Sequence, residues 1–201
     1  MKIIIVGGSG TIGAHLAQSL KADKHEVIIV GSKSGDYQVD FTKSEQIPGL
    51  FEKIGAFDAL VVAAGGGYWG DFYSMTEADV YKGIQSKLMG QVNLVLEGKK
   101  HINPGGVFVL TSGVLSTEPT FGSNNLTMVN AAVNAFVVSA AIELKNDVRI
   151  NVVSPGLLED SIHSFGPVMP GFEPVPAAKV VYGYKKAIFT GISGKIIEVS
   201  A

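Results

Sequence analysis

Residues Lys2 to Gly13 read KIIIVGGSGTIG: a β-branched apolar run breaks into four glycines and passes at once into a stretch with helical spacing. Strand residues Ile3 to Val6 deliver the chain to a corner where Gly7, Gly8, Gly10 and Gly13 place no side chain in the way of a diphosphate. Gly7 and Gly8 suit a sharp turn, Gly10 permits close approach of the backbone to a phosphate, and Gly13 allows helix to pack closely on strand. The free N–H groups of a helix starting near Thr11, with its dipole, favour an anion at the same place. A glycine loop between a strand and a helix predicts a dinucleotide site at this corner.

Composition narrows the setting. The 201 residues suit one domain, 1–201, and the pairing of 46% hydrophobic with 17% charged residues fits an α/β protein whose parallel strands are covered on both faces. A net charge of −2 with a single arginine, Arg149, argues against a nucleic-acid surface. The absence of cysteine excludes thiolate chemistry, and His15, His25 and His101 show no metal-ligand spacing, so no metal site is expected. No apolar run approaches the length of a membrane span. A strand starting at residue 2 leaves no room for a cleaved leader, so the chain is expected in the cytoplasm.

Periodicity along the chain predicts helices over Thr11–Ala22, Ser44–Ile54, Thr76–Gly98, Leu126–Lys145 and Pro176–Phe189. Strands are expected near Ile3–Val6, Val27–Val30, Tyr37–Asp40, Ala59–Ala64, Val107–Thr111, Arg149–Val153 and Lys195–Val199. Thr76 with Asp79 three residues on forms a capping box. The polar loop Gly31–Gly35 is too short for a helix, so one crossover is reduced to a turn. The stretch Ser154–Pro176, with Pro155, Pro167, Pro170 and Pro174, reads as an irregular lid. The fold expected is a single-domain Rossmann type: a seven-stranded, mostly parallel, doubly wound sheet with helices on both faces and ligands at the carboxyl ends of the strands.

The order of these landmarks resembles the short-chain dehydrogenase/reductase family over the whole chain. VGGSGTIG (Val6–Gly13) resembles its phosphate loop, which implies cofactor contacts from Gly7, Ser9, Gly10, Thr11, Ile12 and Gly13. DFT, with Asp40 and Phe41, resembles the segment that meets the adenine. AAGGG, with Ala64, Gly65 and Gly66, resembles the run beneath the cofactor. VLTSG resembles the strand that ends in the catalytic serine, here Ser112, and NVVSPG resembles the cofactor-facing turn, here Pro155 and Gly156. The resemblance implies a nicotinamide cofactor and hydride transfer between it and a carbonyl or alcohol.

One departure is equally informative. The family's Tyr-x-x-x-Lys pair aligns with Leu126 and Asn130, and its helical asparagine aligns with Lys87. Leucine has no proton to give and asparagine has no charge. Ser112 either orients a substrate carbonyl or satisfies local backbone. Lys87 either polarises and protonates that carbonyl or is an ordinary surface lysine. Tyr68, Trp69 and His163 are lesser candidates for covering the site or supplying a proton.

After the second strand, Ser32, Lys33 and Ser34 suit the 2′-phosphate of NADP by charge and donor count, so NADP is favoured over NAD. Asp36 would serve a ribose only if the loop folds back. The neighbourhood of Thr117–Asn125 suggests a small uncharged substrate, and the apolar helix Leu126–Leu144 suggests a dimer or tetramer. The function read is an NADP(H)-dependent oxidoreductase with a non-standard active site. A cofactor-binding module without turnover is the alternative.

Overall fold

The computed structural model describes residues 1–201. Its strands are β1 (Lys2–Val6), β2 (Glu26–Gly31), β3 (Tyr37–Gln38), β4 (Phe57–Val62), β5 (Ile102–Thr111), β6 (Arg149–Pro155) and β7 (Ile196–Val199). The helices are α1 (Thr11–Ala22), α2 (Ile47–Ile54), α3 (Glu77–Gly83), α4 (Gly90–Gly98), α5 (Asn124–Glu143), α6 (Ile162–Phe165) and α7 (Ala177–Phe189). The sheet runs β3-β2-β1-β4-β5-β6-β7, and every neighbouring pair is parallel. Connections leave β1 on one side and β4 on the other, which opens a crevice beyond their carboxyl ends.

Side chains along each strand alternate between two cores. Ile4, Val6, Leu60, Val62, Phe108 and Leu110 face α2, α4 and α5, meeting Phe51, Leu94, Val133 and Val137. Ile3, Ile5, Val61, Val107, Val109 and Ile197 face α1 and α7, meeting Leu16, Leu20, Val180 and Ile188. These strands are therefore buried on both faces, as the apolar sequence runs require.

Four features differ from the sequence expectation. The region Thr76–Gly98 is not one regular α-helix: after the Thr76–Asp79 capping box, Ile84–Met89 widen into a π-helical turn. The Gln91 side-chain amide takes the Lys87 carbonyl there, a competition that apolar spacing does not reveal. Strand β5 begins at Ile102 instead of Val107, because Pro104–Gly106 form an irregularity within the pairing instead of ending it. The Ser154–Pro176 stretch holds short helical turns (Glu159–Ser161, α6 and Gly166–Val168) and a Leu158–Val175 bridge. Finally, α5 is long and apolar enough, by length and composition alone, to cross a membrane. Here it packs on the sheet, with Asn125, Asn130 and Asn134 among its buried residues.

Under the end of β5, the buried Tyr184 hydroxyl from α7 lies 2.6 Å from Thr111 Oγ1, which donates to the Val62 carbonyl at 2.6 Å. Burial pushes the phenol's pKa up, so it stays a neutral donor. Tyr184→Phe is expected to lower the stability of the whole domain by about 1 kcal/mol, read as a lower urea midpoint at unchanged slope.

Candidate active site

The amino-terminal corner is built as a close backbone turn. Gly7 has φ +82°, and a Cβ there would lie 2.6 Å from the Ala63 carbonyl oxygen, so the loop sits directly on the end of β4. Gly10 N–H donates to Gly7 O at 3.0 Å, closing the turn, and Gly10 gives α1 no side-chain cap. The N–H groups of Thr11, Ile12 and Gly13 consequently find no acceptor in the chain and point outward as helix-terminal donors. Ser9 is exposed, and the Ser34 hydroxyl donates to Ser9 Oγ at 3.1 Å, which draws the β2 loop to the glycine turn. This is an anion cradle of main-chain donors with the Ser9 and Ser34 hydroxyls beside it, and it fits a dinucleotide diphosphate.

The loop after β2 leaves Ser32, Lys33 and Ser34 exposed, and Lys33 makes no ion pair. Asp36 is not available in the same way. Its carboxylate accepts from Ile29 N–H at 2.8 Å while its own N–H donates to Ile29 O at 2.8 Å, so it splices the edge of β2. Asp40 accepts from Thr42 Oγ1 at 2.6 Å and from Thr42 N–H at 3.1 Å, and the side-chain bond from Thr42 holds its carboxyl below the ordinary value. The Phe41 ring packs against Gly90 of α4.

At the end of β4, Ala64 and Gly65 are half-buried and Gly66 is exposed, its N–H donating to Ser86 Oγ at 3.1 Å. Gly65 has φ +104°, and a Cβ there would stand 3.3 Å from Lys87 Cδ: the lysine stem lies across this glycine. Pro155 is buried at the end of β6, and Gly156 N–H donates to Val199 O at 2.9 Å.

Gln91, fully buried, organises the centre. Its Nε2 donates both to Lys87 O and to Thr111 O at 2.9 Å, and its Oε1 accepts from Thr111 N–H at 2.9 Å. One side chain thus fastens the π-helical turn that carries Lys87 to the residue preceding Ser112. Lys87 is only 8% exposed and has neither an ion pair nor a hydrogen bond at Nζ. Burial alone pulls its pKa from an ordinary 10.5 down to about 8. Ser112 Oγ and Asn130 Oδ1 are buried with no hydrogen-bond partner, and the Asn130 amide lies at Gly113, whose Cβ position is 3.4 Å from Nδ2. The Lys87 backbone and the Asn130 amide are thus brought to the end of β5, where Ser112 Oγ and Asn130 Oδ1 have no hydrogen-bond partner.

The other candidates lie elsewhere. The Tyr68 hydroxyl folds back against Gly70, with Lys82 Nζ 5.5 Å from the ring centroid. Trp69 packs near Phe165 at 6.1 Å between centroids and against the Leu115–Leu157–Met169 cluster, which also takes Leu126. His163 is exposed. Sequence reasoning missed Gln91, visible only as a polar residue on an apolar helical face four residues after Lys87. It also missed Asn125, which accepts from Tyr68 N–H at 2.8 Å and donates to Val80 O at 2.9 Å, so fixing the second glycine run to α3. An apolar-sided groove of about 640 Å³ opens at the start of α5 between Phe72, Pro119, Phe121 and Pro170.

Comparison with known proteins agrees with this geometry. The structure superposes on the crystal structure of protein lin1944 from Listeria innocua with a TM-score of 0.97, at 41% identity over 99% of both chains. It is similar to a small-chain dehydrogenase solved in complex with NADPH, with a TM-score of 0.87 and 26% identity over 98% of this chain and 95% of that one. Among curated relatives, 3-oxoacyl-(acyl-carrier-protein) reductase MabA of Mycobacterium tuberculosis is 27% identical over 170 residues, 78% of this chain and 69% of that protein. The chain spans between 65% and 69% of the length of the curated relatives it matches. Residues 8–175 match the family model described as enoyl-(acyl carrier protein) reductase. With the sheet order, the glycine corner and the β5 serine all in place, the chain belongs to the short-chain dehydrogenase/reductase family.

Proposed function

We propose that this protein is an NADP(H)-dependent oxidoreductase acting on a small carbonyl or alcohol substrate, with Lys87 and Ser112 as its catalytic residues. One observation carries the reading: Gln91 fastens the backbone of Lys87, a mostly buried lysine without an ion pair, to Thr111, the residue before the unpartnered Ser112 hydroxyl. Gly7, Ser9, Gly10, Thr11, Ile12 and Gly13 would hold the diphosphate, with Asp40, Phe41, Ala64, Gly65, Gly66, Pro155 and Gly156 bordering the rest of the cofactor. Ser32 and Lys33 would take a 2′-phosphate. Bound there, the cofactor supplies or accepts a hydride at the substrate carbon. The Ser112 hydroxyl donates a hydrogen bond to the substrate oxygen and fixes its orientation. The Lys87 ammonium gives that oxygen its proton in reduction and recovers one in oxidation.

The choice of NADP over NAD rests on Lys33 standing free while Asp36 is occupied by β2. Lys33→Glu is expected to weaken NADPH binding about tenfold or more while leaving NADH binding unchanged, measured by calorimetric titration.

A second reading, a cofactor-binding module without turnover, is favoured by Leu126, which sits in an apolar cluster where a phenol would otherwise supply a proton. Titration with NADPH followed by a panel of carbonyls, and of alcohols with NADP, separates the two. Turnover supports the enzyme; binding with no turnover across the panel supports the module. The proposal extends to a homo-oligomer paired through α5, whose outer face leaves Met128, Val138 and Ile142 exposed.

A further inference from the structure

The charge on Lys87 stands alone in the fold. Lys87 forms no ion pair, and no neighbouring charge contributes to its lowered pKa, for which burial alone accounts. The nearest acid along the helix, Asp79, is spent on Lys82 at 2.6 Å and on the Thr76 cap. Burial without a partner disfavours the charged form of a lysine, a cost that an anionic group bound beside it would offset. Beside it the Ser112 hydroxyl and the Asn130 amide are each 4% exposed and incompletely bonded, so the floor is built and polar instead of apolar.

Resting on the reductase reading above, we infer that the Lys87–Ser112–Asn130 floor recognises a carboxylate carried next to the reacting carbonyl, so that the substrate is a small 2-oxo acid or its 2-hydroxy acid counterpart. The shape of that group matches the donors. An ammonium has three N–H bonds, and the carbonyl oxygen and one carboxylate oxygen of a 2-oxo acid can lie side by side on the same edge. Lys87 can address both, while Ser112 adds a donor to the carbonyl oxygen and the Asn130 Nδ2 adds one to the carboxylate. The single cation then recognises the substrate by charge and remains placed to protonate the oxygen that becomes the alcohol. The occupant differs from the uncharged molecule suggested by the Thr117–Asn125 loop, because the decisive cation lies on another element.

Oxamate and its uncharged isostere oxamide test this directly. Each is titrated calorimetrically into the native protein, alone and with saturating NADPH. Oxamate is expected to bind about tenfold tighter or better in at least one state, the ratio that one charge-assisted bond confers. Lys87→Met, which keeps the stem and removes the charge, is expected to bring the ratio to about one. Equal affinity for the two compounds in both states, failure of both to bind, or a preference that survives Lys87→Met overturns the inference. Should the variant not fold, the side-chain nitrogen resonance of Lys87 in the native protein decides: it must move with oxamate and stay with oxamide. Reduction of neutral aldehydes without any preference for oxamate would sink the carboxylate and leave the reductase standing. Selective oxamate binding with no turnover on any carbonyl would do the reverse.

Discussion

Lys87→Met is expected to lower kcat by about 10²- to 10³-fold, leave the Kd for NADPH within about twofold, and make the protein more stable. The three effects share one cause. Methionine reproduces the length and apolar stem of lysine against Gly65 but carries no proton, so the substrate oxygen loses its donor while the glycine corner that holds the diphosphate is untouched. The stability gain follows from linkage. Lys87 titrates at about 8 in the folded protein against an ordinary 10.5, so below pH 8 both folded and unfolded chains carry the charge and the folded one bears its burial cost. That cost is about 3 kcal/mol. Between pH 8 and 10.5 the unfolded chain binds more protons than the folded one, so native stability rises with pH and the advantage of the variant disappears. Urea melts at pH 7 and above pH 10 measure it. The same protonation sets the rate: reduction requires the ammonium, so kcat/KM for the native protein falls as pH climbs past about 8. A lysine with no part in proton transfer would show the same stability change but neither the loss of kcat nor the pH limb.

Much of the fold was legible because the chemistry that specifies it is local. Apolar β-branched runs give the parallel strands; the Gly7–Gly13 spacing gives the corner; Thr76 and Asp79 give a helix start whose reciprocal bonds the structure reproduces. The short Gly31–Gly35 connection also announced its missing helix. What could not be read is what depends on partners distant in sequence. The π-helical turn exists because Gln91 reaches a strand end twenty residues later, and a 3.6-residue period cannot register a side chain that replaces a backbone donor. Asp36 was a ribose candidate only if its loop folded back, and the sequence does not say that its carboxylate closes on Ile29. Tyr68 read as a lesser candidate for supplying a proton, yet Asn125, from a helix far along the chain, pins its backbone and the ring turns to Gly70. Lys87 was visible as a residue type at a suggestive position. Its lack of a charged partner, which gives it chemical meaning, is a property that only folding reveals.

Two glycine-to-alanine changes, chemically identical, are expected to move stability in opposite directions, and the reason lies in what each new methyl meets. At Gly13 a Cβ would fall 2.7 Å from Gly8 Cα and 2.8 Å from the Gly7 carbonyl carbon, and closer still to the Gly7 oxygen. All three are backbone atoms of the turn, so no rotamer can relieve the clash. The first turn of α1 must swing off β1, which pulls apart the Gly10–Gly7 hydrogen bond that closes the loop. Gly13→Ala is therefore expected to cost about 3 kcal/mol and to weaken NADPH binding by at least about a hundredfold, since the N–H groups of Thr11, Ile12 and Gly13 leave their common focus. At Gly49, inside α2, a Cβ meets nothing within 4 Å. Alanine there restricts only the unfolded chain and is expected to add about 0.5–1 kcal/mol with NADPH affinity unchanged. Thermal melts of both variants with and without NADPH give the comparison. If Gly13→Ala melted like the native protein and still shifted upward with NADPH, the close contact of α1 on the glycine turn would not be what forms the diphosphate cradle.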